Sequence, residues 1–158
     1  GDRKNRCIEL TVDFHHRQRR PVPHDEDLIA LPVVADREAL LVERENLLHP
    51  ERAPGVPFVQ QIFEGNSLPV IAATDNMRLV PDQIRQWIPG RYVTLGTDGF
   101  GRSDGRAALR HHFEVDRRYV VLAALKALAD EGSIDRAVLV DAVKKLGIDP
   151  SKANPLNT

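Results

Sequence analysis

The sequence predicts an α/β layer fold with a largely parallel sheet, and three observations carry that reading. Two short apolar runs, Leu68-Pro69-Val70-Ile71-Ala72-Ala73 and Tyr92-Val93-Thr94-Leu95, have the continuous hydrophobicity of strands buried on both faces. Helical patterns alternate with those runs along the chain. A glycine-rich loop, Gly96-Thr97-Asp98-Gly99-Phe100-Gly101-Arg102-Ser103-Asp104-Gly105, leads from the second run into the next helix.

Residues 1–32 differ from the rest. Arg3, Lys4, Arg6, Arg17, Arg19 and Arg20 make the first stretch basic, and Pro21 to Asp27 form a Pro-rich, acidic patch. Between them Cys7 to Phe14 alternates apolar and polar side chains, a strand signal of period two. The basic residues read as a solvated arm rather than a phosphate site, since no aromatic side chains are interleaved with them.

From Asp36 the patterning is regular. Asp36 is placed to cap a helix reaching Leu48, with Ala39, Leu40, Leu47 and Leu48 on or near one face. His49-Pro50 ends it. Pro54-Gly55-Val56-Pro57 reads as a turn, Phe58 to Phe63 as a short helix, and Gly65-Asn66 as its break. Pro81 suits the first turn of a helix reaching Trp87 and Ile88, and Pro89-Gly90 turns the chain into the second strand. Beyond the loop, a helical pattern runs through Leu109. Asp116 is placed to cap an apolar helix, Val120 to Ala129, expected to be buried nearly all round, with Gly132 at its C-terminal end. Ser133 is the expected cap of a last helix striped by Val138, Leu139, Ala142, Val143 and Leu146 and ended by Gly147, and Pro150 to Thr158 is expected to be loose.

Composition bounds the function. The 158 residues suit about one domain. A net charge of −1 supplies no overall basic field for nucleic acid. The single cysteine, Cys7, excludes an internal disulfide framework and a Cys-rich metal site. No apolar run approaches a membrane span, and no signal-peptide pattern is expected from the charged first residues.

The glycine-rich loop could aim backbone N–H groups at an anion, but its spacing is wrong. Asp104 falls where a third glycine of GxGxxG is required, no Lys-Ser/Thr pair follows, and Asp98 and Asp104 would repel phosphate. The loop therefore reads as a tight turn in which Gly96, Gly99 and Gly101 permit unusual backbone angles, Asp104 caps the following helix, and Arg102 pairs with a carboxylate. His15, His16, His24, His49, His111 and His112 form no chelating pattern such as HExxH. Ser103 lacks the GxSxG elbow and a neighbouring histidine, and Trp87 and Phe100 read as packing anchors. Residue chemistry alone gives an α/β domain without a self-contained active site.

A longer pattern goes further. Ala73-Thr74-Asp75-Asn76-Met77, Asp82-Gln83-Ile84, Pro89-Gly90-Arg91-Tyr92 and Gly96-Thr97-Asp98-Gly99-Phe100-Gly101-Arg102-Ser103-Asp104, continuing through His111-His112-Phe113-Glu114-Val115-Asp116, resemble the last domain of the decarboxylating component of homodimeric, bacterial-type pyruvate dehydrogenases. The resemblance covers roughly residues 40–155. Asn76, Gln86, Glu45 and Gly105 depart from the family's usual residues, and residues 1–32 lack the strands and glycine-rich turn that the family has there.

That resemblance implies a three-layer, mostly parallel sheet like the transketolase C-terminal domain, spanning residues 33–158 and incomplete on its N-terminal side. It implies a cytoplasmic parent enzyme that decarboxylates pyruvate on thiamine diphosphate with Mg²⁺ and reductively acetylates a lipoyl group. Those cofactors are held by other domains, so no catalytic, cofactor or metal residue carries over to this chain. Asp75, Asp98, Gly99, Phe100, Gly101, Arg102, Ser103 and Asp104 match the family's signature and are expected in structural or interface roles. The implied partners are the thiamine-binding domains, a second copy in a homodimer and the lipoyl acetyltransferase component. A free-standing, non-catalytic interaction domain docking on a 2-oxo acid dehydrogenase complex is the alternative.

Overall fold

The computed structural model describes residues 25–158, with side chains from residue 36 onward. The expected strand at Cys7–Phe14, the basic arm, and His15, His16 and His24 lie outside the described residues. Among the described residues, 68–78 and 91–158 form one compact unit, and residues up to 67 with 79–90 form another.

The first of these units holds the sheet. Strands β1 (Val70–Ala73) and β2 (Tyr92–Leu95) pair in parallel, with Val70 opposite Tyr92 and Ala73 opposite Leu95. Val70 is fully buried and its neighbour Ile71 nearly so. Successive strand residues point to opposite faces, so both faces of β1 are covered at this end, as its uninterrupted apolar run predicts. Helices α4 (Arg106–His112), α5 (Arg117–Asp130) and α6 (Arg136–Lys145) follow. Helix α5 lies against both strands, and α6 packs on α5.

Asp116 caps α5 as expected: its carboxylate accepts from the Arg118 and Tyr119 backbone N–H groups and from the Arg118 guanidinium. Partial burial would raise the Asp116 pKa, but those Arg118 and Tyr119 donors outweigh it and hold the carboxyl below its usual range. The cap of α6 is Asp135, accepting from the Ala137 N–H, and not Ser133. An N-cap acts on the amide two or three positions ahead, and Asp135 sits at that spacing while Ser133 falls within the preceding C-terminal turn.

Three helices end with the same device. After α5, Gly132 N–H donates to Ala129 and Ser133 N–H to Leu128; after α6, Gly147 donates to Lys144 and Ile148 to Val143. Both glycines have positive φ, the conformation such an ending needs. After α4 the same bonds run from Glu114 to His111 and from Val115 to Arg110, but the left-handed residue is Glu114, at φ 62°. Its side chain is held by Lys152, whose ammonium donates to Glu114 Oε1 at 3.0 Å and to the His112 carbonyl at 2.8 Å. The last residues are therefore docked, contrary to expectation: beyond Lys152, Asn154 accepts from Leu156 N–H to start a 3-10 turn at Pro155–Asn157, and Pro155 is buried.

Helix α5 is less buried than its composition implies. Tyr119, Ala127 and Ala129 are buried, whereas Val121 and Lys126 face water. One side meets the sheet and another α6.

The other unit contains α1 (Asp25–Leu48), α2 (Phe58–Ile62), α3 (Leu79–Asp82) and a 3-10 turn at Arg85–Trp87. Helix α1 begins eleven residues before the expected Asp36 and runs through Pro32, which costs one intrahelical hydrogen bond but keeps a helical φ. Ala39 is fully buried, but Leu40, Leu47 and Leu48 are exposed, so the expected apolar face is narrower than the pattern implied. Asn46 replaces a simple turn with a two-way clamp, accepting from Gly55 N–H at 2.7 Å and donating to its carbonyl at 2.8 Å. The helix expected to reach Trp87 is broken, and buried Trp87 donates its indole N–H to Glu43 at 2.7 Å.

Asp116→Ala is expected to destabilise the chain by about 1–2 kcal/mol near neutral pH, the usual worth of an N-cap. Because the folded-state pKa is depressed, this contribution is complete above the unfolded carboxylate's value, about 4, and fades as pH falls through the folded value. Urea unfolding followed by far-ultraviolet circular dichroism between pH 7 and 3 checks it: the gap between the two proteins should narrow toward pH 3.

Candidate functional site

The signature residues gather where the parallel strands end. Strand β1 runs into residues 74–78 and β2 into residues 96–105, and the two segments cross. Thr74 N–H donates to the Leu95 carbonyl at 2.9 Å, and Thr97 N–H to the Asn76 carbonyl at 2.8 Å. The Thr97 hydroxyl reaches the Asp75 carbonyl at 3.1 Å. The crossing is so close that a Cβ on Gly96 would lie 2.6 Å from the Arg78 nitrogen and 2.7 Å from the Asn76 oxygen. Glycine at 96 is thus required by backbone approach and not by an unusual φ.

Two aspartates lock the crossing. Asp98 accepts from Arg78 Nε at 2.7 Å and from the Arg78 backbone N–H at 3.3 Å. Asp75 faces Arg106 at 3.1 Å and Arg110 Nε at 3.2 Å, two residues one turn apart on α4. Each carboxylate is thus matched by the charge of at least one arginine.

Beyond Asp98 the loop divides into held and free parts. Gly99 has φ 119°, and a Cβ there would collide with the Pro155 carbonyl. Asp104 accepts from the adjacent Gly105 N–H at 2.6 Å and does not cap α4, whose N-cap is Gly105 with no side-chain bond. Its oxygen is turned back to the nearest amide, which leaves the first-turn N–H groups of α4 to other partners. Phe100 is 73% exposed. Gly101 has open space where a Cβ would be, Ser103 is exposed, and Arg102 makes no ion pair with a described residue, so the expected carboxylate partner is missing among them.

Arg102, Ser103 and Asp104 line a shallow cleft of about 240 Å³ with Ala108, Leu109 and His112. Burial, followed by the positive charge of Arg102 and Lys152, pushes the His112 pKa below its ordinary value. Its Nε2 is shielded from water with no hydrogen-bond partner among the described residues. On the far side of α4, His111 Nδ1 lies 2.6 Å from Arg118 Nη2 and 3.4 Å from Asp116. No group of three or more His, Cys, Asp or Glu side chains placed to hold a metal ion occurs among the described residues.

The structure therefore brings Asp75, Asp98 and Gly99 into one network and leaves Phe100, Gly101, Arg102 and Ser103 outside it. Arg78, Arg106, Arg110 and Lys152 were not singled out from the sequence. The spacing of Arg106 and Arg110 on one helical face was the only local signal; the other partners are twenty to forty residues apart.

Gly96→Ala and Gly99→Ala are each expected to destabilise the chain by about 2 kcal/mol or more, since each sets a Cβ against backbone atoms. An exposed control, Gly101→Ala, should change stability by roughly 0.5 kcal/mol or less. Thermal unfolding of the three variants checks the contrast.

The family model described as a transketolase-like TK C-terminal domain matches residues 34–116. The pyruvate dehydrogenase E1 component of Pseudomonas aeruginosa is 56% identical over 122 residues, which is 77% of this chain and 14% of that protein. That of Cupriavidus necator is 52% identical over 135 residues, 84% of this chain and 15% of that protein. That of Escherichia coli K12 is 53% identical over 114 residues, 72% of this chain and 13% of that protein. The chain spans about a seventh of the length of these curated relatives. The signature network at the ends of β1 and β2 lies within the matched span, and the chain belongs to the transketolase-like C-terminal domain family.

Proposed function

We propose that this chain is the C-terminal domain of a pyruvate dehydrogenase decarboxylating component and that it supports the enzyme's architecture without supplying reacting groups. The observation that carries this reading is the identity of 56% confined to 14% of the Pseudomonas protein. In the parent, pyruvate is decarboxylated on thiamine diphosphate with Mg²⁺ and the acetyl group passes to a lipoyl carrier. Among the described residues Asp75 and Asp98 each face arginines, and no group of three or more His, Cys, Asp or Glu side chains placed to hold a metal ion occurs. In this reading the reacting groups and both cofactors belong to other domains of the parent.

In this reading Asp75, Asp98 and Gly99 shape the strand-end crossing, while Phe100, Gly101, Arg102, Ser103 and Asp104 face partner domains. The domain occupies residues 33–158 of a cytoplasmic enzyme, with a divergent segment at 1–32, and has a three-layer, mostly parallel sheet that is incomplete on its N-terminal side. The partners are the thiamine-binding domains, a second copy in a homodimer and the lipoyl acetyltransferase component. No helix among the described residues is long and apolar enough to cross a membrane.

The purified 158-residue chain is expected to release no carbon dioxide from pyruvate above the blank when thiamine diphosphate and Mg²⁺ are supplied. A chimaera of the Pseudomonas component, carrying residues 34–158 of this chain in place of its matching segment, is expected to decarboxylate pyruvate. Turnover by the isolated chain would refute the non-catalytic role, and an inert chimaera would refute the assignment.

A further inference from the structure

We propose that Met77, Phe100 and Leu156 form the surface on which the rest of the parent polypeptide docks, an inference that rests on the functional reading above. All three are large apolar side chains left in water, at 54%, 73% and 47% exposure. The backbone around Met77 and Leu156 is hydrogen-bonded, and Phe100 directly follows Gly99, which packs against Pro155. Met77 lies between Asn76, whose carbonyl accepts from Thr97, and Arg78, whose N–H donates to Asp98. Phe100 follows Gly99. The Leu156 Cα is 3.5 Å from the position a Gly99 Cβ would take, so Phe100 and Leu156 flank one point, and Asn154 holds the Leu156 amide.

An exposed apolar group on a rigid backbone suits docking, because little ordering entropy is lost on contact. Aromatic residues and methionine are enriched in the centres of interfaces, with polar residues around them. Arg102, Ser103 and Asp104, all exposed, supply such a rim beside Phe100. Lys152 makes this surface depend on the chain's last residues. By tying Glu114 and the His112 carbonyl, it anchors the segment that brings Pro155 against Gly99 and sets Leu156 beside Phe100.

The occupant is argued from length. The curated relatives carry about six times as much further chain as the part matched here. Chain attached to this domain reaches the surface at a high effective concentration, so a modest apolar centre suffices where an untethered second copy would need more.

The test uses Phe100→Asp and Leu156→Asp, singly and together, in the isolated 158-residue chain and in the Pseudomonas chimaera. In the isolated chain, where both side chains are already in water, Tm should stay within roughly 2 °C of the parental value. In the chimaera the double variant should lower Tm by several degrees and cut pyruvate decarboxylation roughly tenfold, the effect of charging the centre of an interface. Equal loss of Tm in both settings would place these residues in the domain's own packing and overturn the proposal. So would variants that leave an active chimaera untouched. An isolated chain that is dimeric and that Phe100→Asp dissociates would assign the surface to self-association instead. An inert parental chimaera would overturn the functional reading and the docking surface together, whereas an active chimaera indifferent to the variants overturns the docking surface alone.

Discussion

The absence of a side chain at Gly96 is the constraint on which the strand-end region depends. Two parallel strands deliver their following segments to the same end of the sheet, where both must turn. Here they cross at contact distance, with no room for a Cβ between Gly96 and the backbone of residues 76–78. Once that approach is made, the remaining contacts follow from position. Thr97 meets the Asn76 and Asp75 carbonyls, Asp98 arrives opposite Arg78, and the chain leaves toward Gly99 at an angle that brings it under Pro155. The ion pairs come after this geometry and do not create it. Arg78–Asp98 and Arg106–Asp75 are substantially exposed, where a pair contributes about 0–1 kcal/mol. The backbone bonds and the steric requirement at 96 outweigh them.

A second constraint links the helix ends to the C-terminal segment. A left-handed residue ends α4, α5 and α6 alike, but only α4 uses a residue with a side chain there. That conformation costs a non-glycine residue about 1–2 kcal/mol. Lys152 compensates by binding both the Glu114 carboxylate and the last-turn carbonyl of His112, at a place where the helix has unpaired acceptors and favours a cation. Glycine would remove the strain but also one of the two Lys152 contacts that anchor the final residues. The strained residue and the docked segment are therefore parts of one arrangement, which reaches back to the signature loop through Pro155.

Much of the fold was legible because it rests on local rules. The two strands declared themselves by uninterrupted apolar runs, α5 by Asp116 at its start, and the ends of α5 and α6 by Gly132 and Gly147. The misreadings came where local rules compete. Ser133 and Asp135 are both good caps, and the hydrogen bonds of the preceding ending claim the first. Asp36 looks like a cap, yet α1 starts before it at Asp25 and runs through Pro32. Asp104 lies one position ahead of the N-cap of α4, Gly105, and accepts from the Gly105 N–H instead. The candidate site was half legible. Its glycines and aspartates stand in one recognisable run, but their partners Arg78, Arg106, Arg110 and Lys152 are brought in by tertiary approach, which periodicity does not encode.

The distribution of chemistry in the loop bears on what such a domain can contribute. Its carboxylates face arginines and a backbone amide, and the described contacts of the pattern from Asp75 to Asp104 shape the strand-end crossing. What that shape holds out to solvent is Phe100 and its polar neighbours. A domain that had to be stable in water on its own terms would gain by burying or replacing a ring this exposed, since large apolar side chains presented on a fixed backbone invite association. In a domain covered by further polypeptide the same ring becomes a contact.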